Sequence, residues 1–310
     1  EEAVSFTAYQ LNILTTGQHG KALIQDIDVQ RIMDSLQEDK IVIVAGFQGI
    51  NDDGNITTLG RGGSDTTAVA LAYKLGGVSE IYTDVDGIYS ADPRKLKNAK
   101  KLSQIHYEEM LELASLGAQV MHSRSIELGE KYRIPIYVGL SNSSIKGTII
   151  REVEAMESKP ITGIATSNED VSVTIKNANS DINILSRLFE SIAESKISID
   201  MISQTAPIEN KVNISFTIPK DDLSECMGIL TSFTDLYNII VDENITKFSV
   251  VGLGMKNTSG VAARMFKIFS ENDIEVKMIT TSEIRITCAI KREDELKAIE
   301  IVGSAFELKN

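Results

Sequence analysis

The sequence is poor in sulfur and in aromatic surface: two cysteines, no tryptophan, and aromatic residues at only 5% of its 310 positions. Cys226 and Cys288 show neither a pairing pattern nor a metal-binding spacing. That argues against a disulfide scaffold and fits two small buried thiols in a reducing compartment, hence the cytoplasm. Histidine is equally scarce. His19, His106 and His122 lie far apart and form no metal-like set, so structural or surface roles are expected of them and no residue is assigned to a metal. The longest apolar runs, such as Ile41–Ala45, fall far short of the about 20 residues needed to span a membrane, and no secretory signal opens the chain. Positive charge is in deficit too, with 31 basic against 44 acidic residues and a net charge of −13. A nucleic-acid backbone needs a dense cationic face and is excluded as a partner. An anionic substrate would have to be caught by locally placed cations working against the global field.

What is present is the pattern of an α/β protein, long enough for about two or three compact units. The chain starts at Glu1, just before a strand-like AVSFTAY and without an initiating Met, and reads as a piece of a longer protein. Strands are expected at Ala3–Tyr9, Ile41–Ala45, Glu80–Thr83 and Pro135–Val138, the last closing this region. Helices are expected at Asp28–Glu38, Thr66–Leu75, Ser103–Ala114 and Gln119–Lys131. Short apolar strands alternating with amphipathic helices predict an αβα sandwich with a mostly parallel sheet. The charged stretch Arg151–Pro160 reads as a linker, and the charge run Lys95–Lys101 as a solvated face.

Beyond the linker lies an internal repeat. At a shift of 77 positions Phe189 falls on Phe266, Ser172 on Ser249, Arg187 on Arg264, Glu194 on Glu271, and Met201-Ile202 on Met278-Ile279, with no gap. Each copy reads strand, helix, strand, strand, helix. The first adds a closing strand at Tyr237–Val241, which the second lacks. A strand at Ile161–Ala165, before the first copy, is expected to complete the second sheet, so that the first copy is inserted into the second. The predicted domains are 1–155, 166–244, and 156–165 joined with 245–310.

Two stretches carry the chemistry. Thr57–Thr67 reads TTLGRGGSDTT, a cation, two glycines, a hydroxyl and a carboxylate at the start of a helix, where backbone N–H groups and the helix dipole suit an anion. Arg61 could grip a carboxylate through two parallel N–H bonds. The residues alone leave a second reading open, a turn that merely caps a helix. Thr83–Arg94 reads TDVDGIYSADPR, an apolar strand ending in a carboxylate-rich turn. Here too a plain Asp-Gly surface hairpin is the alternative. Both stretches follow strand ends, where ligands of parallel sheets gather.

In this order VAGFQG (Val44–Gly49), TTLGRGGSDTTA (Thr57–Ala68), TDVDGIYSADPR, SLGAQVMHSRS (Ser115–Ser125), IPIYV (Ile134–Val138) and GTII (Gly147–Ile150), followed by the tandem repeat, resemble the aspartate kinase family of the amino-acid kinase superfamily. The repeat resembles its paired ACT modules, βαββαβ ferredoxin-like sensors of amino acids. The resemblance implies ATP-dependent phosphorylation of the L-aspartate side chain, with Mg²⁺, as the first step toward lysine, threonine and methionine. It implies that Arg61, Ser64 and Asp65 bind aspartate, with Arg61 and Asp65 catalytic. It gives Thr83, Asp84, Tyr89, Ser90, Ala91, Asp92, Pro93, Arg94 and Gln119 to the nucleotide. Feedback by lysine, threonine or both is implied at the loop carrying Asn177, Asn179 and Asp181, for which ordinary helix capping is the alternative. A homodimer or tetramer paired through the ACT modules is implied as well. The family's upstream strand and Lys-aromatic-Gly-Gly loop do not occur here, Gln119 stands where the family often has Lys, and Ser123 where it often has Pro. A non-catalytic sensing fragment and a kinase of another amino-acid carboxylate therefore stay open.

Overall fold

The computed structural model describes residues 2–17, 19–117, 120–153, 159–233 and 238–310. Two compact units emerge: Glu1–Tyr89 with Lys101–Met156, and Ser90–Lys100 with Glu157–Asn310. The first contains, in order, β1 (Ala3–Phe6), β2 (Leu14–Thr15), β3 (Ile24–Asp26), α1 (Gln30–Gln37), β4 (Ile41–Val44), β5 (Gln48–Ile50), β6 (Ile56–Thr58), α2 (Gly63–Leu75), β7 (Ser79–Thr83), β8 (Gln104–Ile105), α3 (Tyr107–Ser115), α4 (Ser123–Tyr132), β9 (Ile136–Leu140) and β10 (Thr148–Ile150).

Parallel pairing dominates where a helix carries the crossover. β1 pairs with β4 from Ala3↔Ile41 to Phe6↔Val44, and β7 with β9 from Ser79↔Ile136 to Thr83↔Leu140. Parallel strands need such long connections. β8 and β10 are also parallel, while β10 folds back antiparallel on β9. β1-β4 and β7-β9-β10-β8 are separate sheets, and a third, ordered β3-β2-β5-β6, consists of strands only two or three residues long. Its interior is polar: the buried hydroxyls of Thr15 and Thr57 share a 2.5 Å hydrogen bond, and Thr15 also donates to the Ile50 carbonyl at 3.0 Å. Ala8, Leu11, Ile13, Ile27, Ile32 and Ala70 form an apolar cluster of this unit, each large side chain stabilising the fold by about 1.5–3 kcal/mol.

Three local expectations are corrected. The helix expected from Ser103 is strand β8 followed by α3, because His106 interrupts it and caps the helix, its Nδ1 accepting from the Glu108 amide at 3.2 Å. The strand at 136–140 is not the last, since β10 follows. The start of α2 lies at Gly63, so Gly63, Ser64 and Asp65 form its first turn rather than a loop before it.

In the second unit follow β11 (Gly163–Ser167), β12 (Asp170–Asn179), α5 (Ile182–Glu194), β13 (Asp200–Gln204), β14 (Lys211–Pro219), α6 (Leu223–Leu230), β15 (Ile239–Asp242), β16 (Ile245–Val251), α7 (Val261–Glu271), β17 (Val276–Thr281), β18 (Arg285–Lys291) and α8 (Glu295–Ala305). They build two four-stranded antiparallel sheets, β13-β14-β12-β15 and β17-β18-β16-β11. The two orders are equivalent, with β11 in the place that β15 holds in the other sheet. Alternation drives the packing: Val171, Val173 and Ile175 of β12 all point to one face and are buried with Leu188, Ile192 and Phe216. The 77-residue phase carries through β13 and β17. It then slips, because the connection between β13 and β14 has six residues (205–210) and that between β17 and β18 only three (282–284).

Between the two modules Lys247 is buried and bridges Asp170 at 3.0 Å and Asp200 at 3.1 Å. Burial would raise the Asp200 carboxyl, but the field of Lys247 brings it below its ordinary value. Burial pushes the thiols up, to about 11 for Cys226 and about 12 for Cys288, so both are inert thiols at neutral pH. Among the described residues no helix is long and apolar enough to cross a membrane.

The charge run at 95–101 is also corrected. Leu96 is fully buried, Ala99 nearly so, and Lys95 is paired with Glu295 at 2.8 Å. Lys97 and Asn98 alone of the run are exposed.

Candidate functional site

The first cluster forms where α2 begins. β6 ends at Thr58, and the chain turns through Gly60 and Gly62 into the helix. Gly62 is its N-cap at φ +70°, a left-handed conformation that favours glycine. It offers no side chain to the free amides of the first turn, and no side-chain cap hydrogen bond forms there. The Gly63 amide donates to the Gly60 carbonyl at 3.0 Å, while the Ser64 and Asp65 amides find no acceptor among the described residues, so the helix starts with its positive end and two amide donors uncovered. From the neighbouring turn after β4, Gly46 approaches so closely that a Cβ there would lie 3.4 Å from Ser64 Cα. The Phe47 amide donates to Thr67 Oγ1 at 3.2 Å, which locks this turn to the helix.

Around that helix start stand the three residues expected to hold a carboxylate. Arg61 is exposed and makes no hydrogen bond or ion pair among the described residues. The Ser64 hydroxyl is exposed and faces Asp65 Oδ1 at 3.4 Å. Asp65 is half-buried. Desolvation pushes its carboxyl above the ordinary value of 3.8, although the Ser64 hydroxyl and the field of His122 act the other way. The sequence reasoning assigned His122 no part here. It caps α4 through Nδ1 and the Arg124 amide at 3.3 Å, and its Cβ abuts Gly62. The sequence offered no signal for it, because the helix expected at Gln119–Lys131 places His122 inside the helix, whereas the helix starts at Ser123 with His122 as its cap.

The second cluster divides. In the first unit, Thr83 donates to Asp84 Oδ1 at 3.0 Å. Tyr89 donates to both oxygens of Asp86 at 3.1 Å, and Lys101 reaches Asp86 Oδ2 at 3.0 Å. Asp86 and Lys101 were not singled out from the sequence. Burial would raise Asp86, but Lys101 and Tyr89 hold it below the ordinary range. No hairpin turn forms at Asp86-Gly87. Instead Tyr89 bridges Lys101, and Leu102 donates to the Ile88 carbonyl at 2.8 Å. Ser90, Ala91, Asp92, Pro93 and Arg94 belong to the second unit. There Arg94 clasps Asp92 with three side-chain bonds, Nε to Oδ1 at 3.0 Å and to Oδ2 at 3.2 Å and Nη2 to Oδ2 at 2.9 Å, while its side chain stays 89% exposed. Burial opposes ionisation of Asp92, and Arg94 outweighs it. Gln119 lies outside the described residues.

The expected effector loop is corrected: Asn177 and Asn179 lie in the last stretch of β12, past an irregularity in its pairing after Ile175, and of the three residues only Asp181 stands between β12 and α5. Asp181 caps α5, accepting from the Asn183 amide at 2.9 Å, and Asn179 accepts from the Asp181 amide at 3.0 Å. Asn177 has φ +52° and its amide donates to Asn213 at 3.0 Å.

Comparison with known proteins agrees with this organisation. Residues 1–139 match the amino acid kinase family, and residues 171–232 and 248–306 match the ACT domain. The chain is 44% identical to an aspartokinase of Bacillus sp. (strain MGA3) and to aspartokinase 2 of Bacillus subtilis (strain 168), in each case over 99% of this chain and 76% of the relative. Among solved structures it is similar to aspartokinase III of E. coli in complex with aspartate and ADP, with a TM-score of 0.79 and 26% identity over 97% of this chain and 69% of that one. The chain belongs to the aspartokinase family: it is an aspartate kinase whose amino-acid kinase fold is followed by two ACT domains.

Proposed function

We propose that this aspartate kinase transfers the terminal phosphoryl group of ATP to the side-chain carboxylate of L-aspartate, giving 4-phospho-L-aspartate and ADP. The observation that carries this reading is the unpartnered Arg61 guanidinium beside an uncapped helix start and the half-buried Asp65. A carboxylate nucleophile has a reference pKa of about 3.9 and needs no general base. One of its oxygens attacks the γ-phosphorus, the bond to the bridging oxygen breaks, and ADP leaves with the electron pair. The obstacle is repulsion between two anions, so catalysis consists of positioning and charge neutralisation. Arg61 holds the substrate's carboxylate in a two-bond grip, Ser64 donates a hydrogen bond, and Asp65 pairs with the ammonium. Thr83, Asp84, Tyr89, the run Ser90–Arg94 and Gln119 serve the nucleotide. Mg²⁺ belongs to the nucleotide, because it keeps much of its water and binds through phosphates more readily than in an all-protein cage. The substrate pair is supported by the aspartate and ADP bound in the E. coli aspartokinase III structure.

A coupled ADP-release assay tests this, run on the chain and on a version extended upstream to the length of its relatives. Turnover with aspartate but not with glutamate or acetylglutamate is expected; turnover in neither version leaves only a sensing role. The pH profile is specific. Asp65 must be ionised to pair with an ammonium, and its pKa is raised. Hence kcat/KM for aspartate should fall on acidification already above the ordinary range of an aspartyl group. A profile flat down to pH 4, measured with the fold intact, removes Asp65 from this role.

For regulation, we take domains 1–155, 166–244, and 156–165 with 245–310, the first boundary lying outside the described residues. The effector is lysine, threonine or both, acting at Asn177, Asn179 and Asp181 in a cytoplasmic homodimer or tetramer joined through ACT sheets. Support comes from the lysine bound to aspartokinase III of E. coli in a second solved structure, at a TM-score of 0.79 and 26% identity. A ligand of the folded state raises the melting temperature, so the true effector should shift the wild type and leave Asp181→Ala unshifted. The cap lost with Asp181 costs about 1 kcal/mol by itself, which is why the readout is the ligand-dependent shift and not the baseline. An undiminished shift in the variant moves the effector site elsewhere.

A further inference from the structure

Residues Ser90–Lys100 lie inside the span that matches the amino acid kinase family, yet they fold as part of the compact unit formed by the ACT modules. The Ser90 amide donates to the Lys100 carbonyl at 2.8 Å and closes a hairpin. Its outer edge is tied to the second module: Ile164 donates to the Ser90 carbonyl at 2.7 Å, Lys100 to the Leu308 carbonyl at 3.0 Å, and Asn310 to the Asn98 carbonyl at 2.9 Å. At the tip a single turn puts neighbouring residues to opposite uses. The amides of Lys95 and Leu96 both donate to the Asp92 carbonyl at 2.9 Å. Leu96 is buried against Gly303, where a Cβ would stand 2.9 Å from its Cδ2. Arg94, one residue earlier, is almost fully exposed.

The ion pair beneath this turn is built with care for every polar atom. Lys95 Nζ lies 2.8 Å from Glu295 Oε1 and 2.9 Å from Thr166 Oγ1. Thr166 donates to Glu295 Oε1 at 2.7 Å and Asn168 to Oε2 at 2.9 Å. The Glu295 side chain is 11% exposed, and both its oxygens are used. Burial would push its carboxyl up, but the donors, Lys95 first, bring it below the ordinary value. Asn168 is fixed in turn by the Thr246 hydroxyl and by Arg292, which donates to its carbonyl at 2.9 Å. Such a pair does little for stability compared with an apolar replacement, and its established use is to fix geometry.

We propose that Lys95 and Glu295 are positioning residues for the nucleotide: their ion pair sets the turn Asp92–Leu96 and so the direction in which Arg94 meets phosphate. The proposal rests on the reading of Arg94 as a nucleotide ligand. A displacement of about 1 Å at such a group can cost up to about a hundredfold in rate or binding.

The test is steady-state kinetics of the active protein with Lys95→Met, which keeps the length of the stem, with the nearly isosteric Glu295→Gln, and with Lys95→Arg. Both charge-removing variants should raise KM for ATP about tenfold or more. Their KM for aspartate and their kcat at saturating ATP should stay within about twofold of wild type, and Lys95→Arg should restore most of the loss. A purely structural role would instead lower kcat in step with the folded fraction and leave both KM values alone. That result, or wild-type kinetics in Glu295→Gln, overturns the proposal. Should Lys95→Met melt below the assay temperature, Glu295→Gln decides alone. Absence of turnover in the wild type would overturn the reading beneath it, a failure distinguishable from an active enzyme with indifferent variants.

Discussion

Arg61→Ala should reduce kcat/KM for aspartate by about a thousandfold while leaving KM for ATP and the melting temperature nearly unchanged. Two hydrogen bonds to a charged partner contribute about 1.5–3 kcal/mol each. At about 1.4 kcal/mol per decade, their joint loss amounts to roughly three decades. The fold should not notice, because the Arg61 side chain is exposed and makes no hydrogen bond or ion pair among the described residues. Arg61→Lys keeps the charge but not the planar fork, so it should recover about one decade and no more. The measurement is ADP release over an aspartate titration at saturating ATP. An unchanged KM and kcat would remove the guanidinium from substrate binding, and equal losses for both substrates would point to a displaced helix instead.

Gly62→Ala should be strongly damaging near the same site. The residue sits at φ +70°, and a Cβ built there would lie 2.2 Å from His122 Cβ and 2.7 Å from its Cγ. Left-handed backbone costs a non-glycine residue about 1–3 kcal/mol, and forced overpacking about as much again. A loss of about 4 kcal/mol is a large part of a typical folding stability. Urea unfolding would report it as a lowered midpoint at constant slope. Because the clash has a named partner, His122→Gly, which removes the Cβ as well as the ring, should cost less in the Gly62→Ala background than in the wild type. Strict additivity of the two losses would show that the strain lies elsewhere.

Arg61 and Gly62 stood out in the sequence as a candidate site because RGGSD compresses a cation, two glycines, a hydroxyl and a carboxylate into one junction. The doubled sensor was legible for another reason: apolar residues in β12, α5 and β13 keep phase with those in β16, α7 and β17, and period is the strongest signal a sequence has. Strands β2, β3, β5 and β6 had no such signal. They are two or three residues long and exist only through their partners, held by Thr15 and Thr57. The first turn of α2 escaped for the opposite reason, since Gly63, Ser64 and Asp65 read as loop by composition but continue the helix. The stretch at 90–100 failed most instructively. Four lysines around Leu96 and Ala99 look like a solvated face. Burial of Leu96 and pairing of Lys95 depend on α8, about two hundred residues away, which no local pattern can report. Asp86 and Lys101 were overlooked for a more local reason: Asp86 read as part of an Asp-Gly turn and Lys101 as the end of a charge run, and only the folding back of the chain over fifteen residues joins them.

The ladder between β11 and β16 carries one more consequence. β11 ends at Ser167, which stands opposite Lys247, and the long excursion through the first module leaves and returns at that spot. At its own margins this module pairs Ser172 with Asp242, so its two ends lie side by side. Both ends of the module thus join its neighbour at one place, beside the Lys247 ion pairs. Excising 169–244 and linking Asn168 to Ile245 would leave β11 and β16 as an ordinary antiparallel hairpin with its register intact. The same cut would remove Asp170 and Asp200, the two partners of the buried Lys247, and Met201 from the cluster it shares with Ile245, Met278 and Ala289, so the register of the inner sheet would survive while a buried cation lost its counter-charges.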